Sequence, residues 1–280
     1  MKHIITTLFL SIISFAGFTQ NLHADLFAGV ANYQGDLQGK RFTLSQSRPA
    51  IGLGLSYDLT NKLIIRTGFT YGQVEGNDKK NTTAKGIEFR NLNFRSNITE
   101  VQLGLEYNLF DLGYRDISPY AFAGVAVYHF NPYTKDPAGN TVFLKPLSTE
   151  GQGLSQYPGS KPYTLTQFAI PFGGGIKFVL SDNLQVGIEI GLRKLFTDYL
   201  DDVSANYVDS ATLYAAKGQQ SVDLAYRGDE VPGGPSYPAA GSQRGNPKYK
   251  DWYYFSGIRV SYTLNGRKSR KGIGCPARLY

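Results

Sequence analysis

The segment 168–196 does most to limit what this chain can fold into. It consists of two apolar, glycine-bearing runs joined by a short polar stretch, Ser181-Asp182-Asn183. In the second run Leu184, Val186, Ile188, Ile190 and Leu192 alternate strictly with Gln185, Gly187, Glu189, Gly191 and Arg193. A period of two marks a β-strand, here with one aliphatic side and one small or charged side. A soluble sheet hides such an aliphatic face. A transmembrane barrel turns it to lipid and keeps the polar face for the lumen. One hairpin leaves both readings open, but the pattern recurs along the chain.

Lys2 and His3 precede an apolar run over residues 4–18, with small residues at Ala16-Gly17. This is the layout of a secretory signal peptide. The run falls short of the ~20 residues a spanning helix needs, so residues 1–20 are expected to be removed, with cleavage within 17–21. No cysteine stands near that point, which excludes a lipoprotein-type signal. No later stretch is long and apolar enough for a membrane helix, so an exported chain of this kind would cross a membrane only as a closed barrel.

The composition agrees with an all-β chain: 32 Gly, 20 Tyr and 17 Phe among 280 residues, a profile rich in strand and turn formers. The formal charge of +7 is local. Arg267, Lys268, Arg270, Lys271 and Arg278 stand in an acid-free tail, 265–280, and Lys2 lies in the leader, which leaves the remainder close to neutral. A basic balance confined to a tail gives no reason to invoke nucleic acid.

The alternation predicts strands at about 26–33, 50–57, 63–71, 98–107, 120–130, 168–180, 184–196 and 252–264. Both sides of the fifth are apolar or small, so its facing stays open. The connections alternate long and short, the longest over 73–93, 131–166 and 197–250. This rhythm predicts an eight-stranded antiparallel up-and-down transmembrane β-barrel over 21–264, with short periplasmic turns, long extracellular loops and both termini periplasmic. Tyr57, Tyr71, Tyr107, Trp252 and Tyr262 cluster at strand ends, as interfacial girdles require. A soluble calyx would need the apolar faces inside and would leave glycines and charges to cover its surface. The expected location is therefore the bacterial outer membrane, with lipid as the surrounding partner.

Arg66, Lys177, Arg193 and Arg259 fall on the lumen side of this barrel, as do Glu100, Glu106 and Glu189. Charges in a narrow interior must be paired, and eight strands leave a space that side chains can fill. The expected role is a structural ion-pair network. A conduction path is the weaker alternative.

Catalytic chemistry is poorly provided for. The three histidines are His3 in the leader, His23 ahead of the first strand and His129 at the end of the fifth. None is spaced for a Ser-His-Asp constellation, and one cysteine with three histidines excludes a Cys/His zinc site. Gly173-Gly174-Gly175 lacks a following Lys-Ser/Thr and is no phosphate loop. The chain is thus expected to be no enzyme, without cofactor, metal or small-molecule substrate. Asp198, Asp201, Asp202 and Asp209 open the longest loop. Such oxygens suit calcium, but aspartates that tie down a loop base through backbone hydrogen bonds are the simpler reading. The lone Cys275 invites a disulfide to another chain in an oxidising compartment, or is an unpaired tail residue.

Several longer stretches resemble one family. These are Gly29-Val30-Ala31-Asn32-Tyr33-Gln34-Gly35-Asp36-Leu37, Leu59-Thr60-Asn61-Lys62-Leu63, Asn97-Ile98-Thr99-Glu100, Ser118-Pro119-Tyr120-Ala121-Phe122-Ala123-Gly124-Val125 and Thr197-Asp198-Tyr199-Leu200-Asp201-Asp202-Val203-Ser204. The chain resembles the PorG-like small outer-membrane barrels of Bacteroidota, components of the type IX secretion system. The resemblance implies a non-enzymatic part of that protein secretion machinery, in some species serving gliding motility, that anchors or contacts a periplasmic ring of PorK/PorN-type lipoprotein and partner. The ring contact would lie on the periplasmic turns and above all on the tail, through Arg267, Lys268, Arg270, Lys271, Arg278 and Cys275. The competing readings are a small adhesin or surface-interaction barrel acting through its loops, a lipid-modifying barrel enzyme, and a solute channel.

Overall fold

The computed structural model describes residues 21–40, 43, 45–81 and 87–264. The expected signal peptide and the tail with Arg267, Lys268, Arg270, Lys271, Cys275 and Arg278 lie outside the described residues. Among the described residues the strands, in chain order, are β1 (Leu22–Gln34), β2 (Arg48–Asp58), β3 (Leu63–Asn77), β4 (Asn93–Asn108), β5 (Ile117–His129), β6 (Tyr133–Lys135), β7 (Thr141–Phe143), β8 (Thr166–Ser181), β9 (Leu184–Leu195) and β10 (Trp252–Thr263). The eight long strands run β1-β2-β3-β4-β5-β8-β9-β10, each antiparallel to the next, and β10 returns to β1. The closing seam is in register from His23↔Thr263 to Gln34↔Trp252. The result is a closed, eight-stranded, up-and-down barrel, nearly all-β.

Three short connections, 59–62, 109–116 and 182–183, lie at one end of the barrel. The long ones, 35–47, 78–92, 130–165 and 196–251, lie at the other. The turns are held by their own polar side chains. Thr60 Oγ1 accepts the Leu63 N–H at 2.9 Å, and Asp111 Oδ1 accepts the Gly113 N–H at 2.6 Å.

The outward face is the apolar one. Ile51, Leu53, Val101, Leu103, Val125 and Ile188 each expose between 52% and 65% of their surface. An apolar belt of this extent would be costly in water and is what a lipid-facing wall consists of. Tyr57, Tyr107 and Tyr262 stand on this face near the turn end. Tyr71 and Trp252 stand near the loop end, where Trp252 meets Phe172 edge-to-face at 6.0 Å. No helix among the described residues is long and apolar enough to cross a membrane.

β5 faces its bulk inward: Tyr120, Phe122, Ala126 and Tyr128 are buried, while Val125 and Val127 are exposed. Room for this bulk comes from glycines that pair across strands on the inner side, such as Gly29↔Gly257 and Gly104↔Gly124. The backbones approach so closely there that a Cβ on Gly29 or Gly124 would overlap the facing strand.

The structure differs from the sequence expectation above the membrane. Residues 73–77 were expected in a loop and the fourth strand only from 98, yet β3 and β4 stay paired through Val74↔Ser96 and Gly76↔Phe94. Beyond Tyr71 the two sides exchange character. Val74 and Phe94 are buried inside, whereas Gln73, Glu75 and Arg95 are on the outer side. Out of the bilayer the outer wall meets water, so the apolar-out pattern ends although the strands do not. The loop 130–165 carries the β6–β7 hairpin, which joins β4 at Arg95↔Tyr133. The loop 196–251 carries two short helices, α1 (Ser210–Lys217) and α2 (Gln219–Ala225). Finally, His23 lies inside β1 and not ahead of it.

Candidate functional site

Every charged residue expected in the lumen is buried there and bound. Arg66 on β3 donates to Glu189 on β9 at 2.8 and 3.0 Å and to Glu106 at 3.3 Å. Lys177 on β8 pairs with Glu106 on β4. Arg193 on β9 donates to Glu100 on β4 at 2.8 and 2.9 Å. Arg259 on β10 donates to Glu189 at 3.1 Å and lies 3.7 Å from Asp25. Asp25 had escaped notice because β1 reads as apolar or small around it. Four cations thus meet four carboxylates, and tyrosine hydroxyls complete the set. Tyr120 donates to Glu189 at 2.9 Å and Tyr253 to Glu100 at 2.6 Å. The guanidiniums of Arg66 and Arg193 also lie over Phe122 and Phe255, at 4.1 and 4.4 Å from the ring centres. The named lumen charges are therefore balanced, four against four, and each stands beside an opposite charge.

Above this network a column of rings leads out of the barrel. It runs Phe27, Phe255, Tyr253, Tyr128, Phe130, Tyr163, Tyr199, with successive ring centres 5.0–6.3 Å apart. Its last members belong to the loops, so the barrel core and the loop core are continuous. Leu37, Leu92, Leu147, Leu200 and Leu224, one or more from each long loop, join the same buried cluster.

Two arginines stitch the loops together. Arg90 grips Asp78 with a fork of 2.7 and 2.8 Å, donates to the Asp36 carbonyl at 3.0 Å and also binds the Arg244 carbonyl. Arg244 donates to Glu150 at 2.9 Å, to the Asp202 carbonyl at 2.6 Å and to the Ala225 carbonyl at 3.1 Å. The aspartates of the longest loop sit around them. Asp201 accepts from the Tyr33 hydroxyl and from the Val203 N–H at 2.9 Å. Asp202 accepts from Thr149 at 2.5 Å and Tyr163 at 2.7 Å, and Asp198 from Ser204 at 2.8 Å. Asp251, which the sequence did not single out, accepts the Leu200 N–H at 2.9 Å. Burial raises these acids: Asp198 is pushed up to about 7, Asp202 to about 6, and Asp36, Asp201 and Asp251 also rise. Asp209 stands apart and caps α1 by accepting the Thr212 N–H at 2.8 Å. Among the described residues no group of three or more His, Cys, Asp or Glu is arranged to hold a metal ion.

One arrangement resembles a catalytic relay. His23 lies 3.0 Å from the Thr263 hydroxyl through Nδ1 and 3.2 Å from Asp58 through Nε2. Thr263 and His23 are only 4% and 3% exposed, so a substrate carbonyl has no approach to the hydroxyl. The contact fastens β1, β10 and the end of β2 at the barrel's closing seam. His129 faces outward and meets Thr166 at 2.9 Å.

Comparison with known proteins gives structural likeness at low sequence identity. Ail, the attachment invasion locus protein of Yersinia pestis, is 8% identical, with 88% of this chain and all of that chain covered and a TM-score of 0.42. Neisserial surface protein A is 9% identical, with 88% and 97% covered and a TM-score of 0.41. The outer-membrane enzyme PagL is 14% identical, with 84% and 97% covered and a TM-score of 0.32. No curated protein matches the sequence. One family model does, over residues 2–141, and the chain belongs to that family, described as "Domain of unknown function (DUF6089)".

Proposed function

We propose that this barrel is a structural, non-enzymatic outer-membrane component of the type IX protein secretion machinery that holds or contacts a periplasmic lipoprotein ring of the PorK/PorN type. The carrying observation is the ion-paired lumen. Arg66 and Glu189 meet across it, which favours a plugged barrel over a conducting or catalytic one and points the function to the two ends. The resemblance of the sequence to PorG-like barrels supplies the machinery and the side. At the turn end the barrel offers 59–62, 109–116 and 182–183, and the chain continues there into the basic tail with Cys275. The tail and its Arg267, Lys268, Arg270, Lys271 and Arg278 are the proposed contact, with Cys275 available for a disulfide to the ring.

The test is affinity purification of the full chain from outer membranes, beside a chain ending at residue 264 and a Cys275→Ser variant. Non-reducing electrophoresis and mass spectrometry would identify what comes with it. Recovery of a ring lipoprotein with the full chain, reduced by the truncation, is the expected result. An intact barrel that recovers no such protein and whose loss leaves secretion normal would overturn the proposal.

A second reading, a surface-interaction barrel working through its loops, is favoured by one observation: the loops pack into a shared core with buried arginine clamps. It expects loop replacement to abolish function and removal of 266–280 to leave it unchanged.

A further inference from the structure

We propose that the outer side of β3 and β4, just above the lipid-facing belt, holds the phosphate of an anionic lipid in the leaflet on the loop side. This rests on the membrane barrel and not on the secretion reading.

The site begins with a charge imbalance. Glu75 on β3 meets Arg95, its direct neighbour on β4, at 3.2 Å. It also meets Lys80 at 3.6 Å and Arg48, at the start of β2, through Nε at 2.8 Å. Three cations thus share one carboxylate. The next acid along the chain, Asp78, is buried and forked by Arg90. The cations are accessible and the acid is not: Arg48, Lys80 and Arg95 expose 31%, 48% and 44% of their side chains, and Glu75 only 9%. Arg95 reaches Glu75 through Nε, and Lys80 stays beyond hydrogen-bond length, so the pairing uses little of their donor capacity. Glu75 therefore gathers the three cations without neutralising them.

The height of the group decides the ligand. Below it on the same outer wall stand Ile51, Phe69, Tyr71 and Val101, all exposed and neighbours through Ile51↔Tyr71 and Phe69↔Val101. Between the two lies Gln73, which donates to Asn97 at 2.9 Å and to the Tyr133 hydroxyl at 3.0 Å. The order up the wall is apolar, aromatic, amide, cationic. A strand that rises ~3.3 Å per residue at a tilt of about 40° carries Glu75 and Arg95 ~10 Å above Tyr71. Long cationic side chains reach from there into the headgroup layer that borders the hydrocarbon. A phosphate-bearing lipid matches the whole order, with acyl chains on the aliphatic wall, its linking polar atoms at Gln73 and its phosphate among the cations. Guanidinium forks suit phosphate oxygens. A soluble anion would use only the top of this wall.

The experiment follows lipid binding to the full-length protein in detergent by native mass spectrometry. The probes are bisphosphorylated lipid A, phosphatidylglycerol, phosphatidylcholine and inorganic phosphate. The proteins are wild type, an Arg48→Gln, Arg95→Gln double variant, Lys80→Gln, and a Lys62→Gln, Arg115→Gln double variant that removes the same charge at the turn end. Each is first shown to keep the heat-modifiable migration of a folded barrel. The basic tail is present in all of them, so its share cancels in the comparison. Wild type is expected to prefer at least one of the two anionic lipids over phosphatidylcholine. The Arg48, Arg95 variant should bind that lipid about tenfold more weakly or worse, and the turn-end variant as wild type does. Lys80→Gln should lose about fivefold, and it carries the test if the double variant does not fold. The proposal is overturned if phosphatidylcholine binds as well as the anionic lipids, if the turn-end variant loses as much as the cluster variants, or if inorganic phosphate alone binds.

Discussion

Arg66 and Glu189 face each other from opposite walls of the barrel. β3 and β9 stand four strands apart whichever way the ring of eight is counted, yet the guanidinium donates to both carboxylate oxygens at 2.8 and 3.0 Å. A side-chain bridge of that reach spans the full width of the lumen. Glu189 also holds Arg259 and the Tyr120 hydroxyl, which makes it the node of the network.

Removal of that node is expected to be severe. Glu189→Ala leaves Arg66 with the 3.3 Å contact to Glu106 as its remaining carboxylate partner and Arg259 with the 3.7 Å pair to Asp25. Breaking a buried pair by removing one partner costs about 3–5 kcal/mol, because the other charge stays buried without compensation. Urea unfolding in lipid vesicles, followed by tryptophan emission from Trp252, should show a loss of that size. A loss below about 1 kcal/mol would mean that water reaches the lumen charges.

The same bridge predicts electrical silence. Wild-type protein in planar bilayers should give no steady single-channel steps, whereas the Arg66→Ala, Glu189→Ala double variant opens space at mid-lumen and should give small ones. Steady steps from wild type would show that the network parts to form a path.

Much of this was legible in the sequence because a membrane imposes a strict code. Lipid demands apolar residues on one side of every strand, so Leu184 to Leu192 and their counterparts stood out. With the outward side known, Arg66, Glu100, Glu106, Lys177, Glu189, Arg193 and Arg259 were placed in the lumen by elimination. The code stops at the membrane surface. Val74 and Phe94 face inward on strands that continue into water, and a pattern that reverses its sides at Tyr71 reads as a loop. The stitching of the loops was illegible for another reason. Arg90 meets an Arg244 carbonyl 154 residues away, and no local spacing records such a contact. Asp198, Asp201 and Asp202 were visible as a group; Ser204 on Asp198, Tyr33 on Asp201, and Thr149 and Tyr163 on Asp202 make them loop anchors.

Arg90 should act as a clamp on the loops and leave the barrel alone. Its hydrogen bonds are charge-assisted, each worth about 1.5–3 kcal/mol, and they reach the loops 35–47 and 196–251 as well as its own. Arg90→Ala is expected to speed hydrogen exchange at the backbone of 35–38 and 241–246, with β1 to β5 and β8 to β10 as protected as in wild type. Uniform loss of protection over loops and strands would show that the two form one cooperative unit.

The loop end should loosen as pH rises. Burial lifts Asp198 to about 7 and Asp202 to about 6, and lifts Asp36, Asp201 and Asp251 as well. An unfolded aspartate titrates near about 4. A carboxyl whose folded value is the higher one binds its proton more tightly when folded. Its contribution is fully present below about pH 4 and is lost as the pH passes through about 6 and 7. Arg244 faces Asp202 and Glu150, and Arg90 faces Asp78. These cations, and Lys250 beside Asp198, offset part of the effect; Asp198 is otherwise held by Ser204, and Asp251 by the Leu200 N–H and, at 3.5 Å, the Tyr33 hydroxyl. Limited proteolysis of the loops by a protease active from pH 5 to 8, corrected for its own pH profile, should therefore cut faster at pH 8 than at pH 5. Asp198→Asn keeps the shape without the charge and should flatten that dependence. A cleavage rate that rises towards pH 5, or one that Asp198→Asn leaves as steep as before, would assign the stability of the loops to the arginine pairs instead.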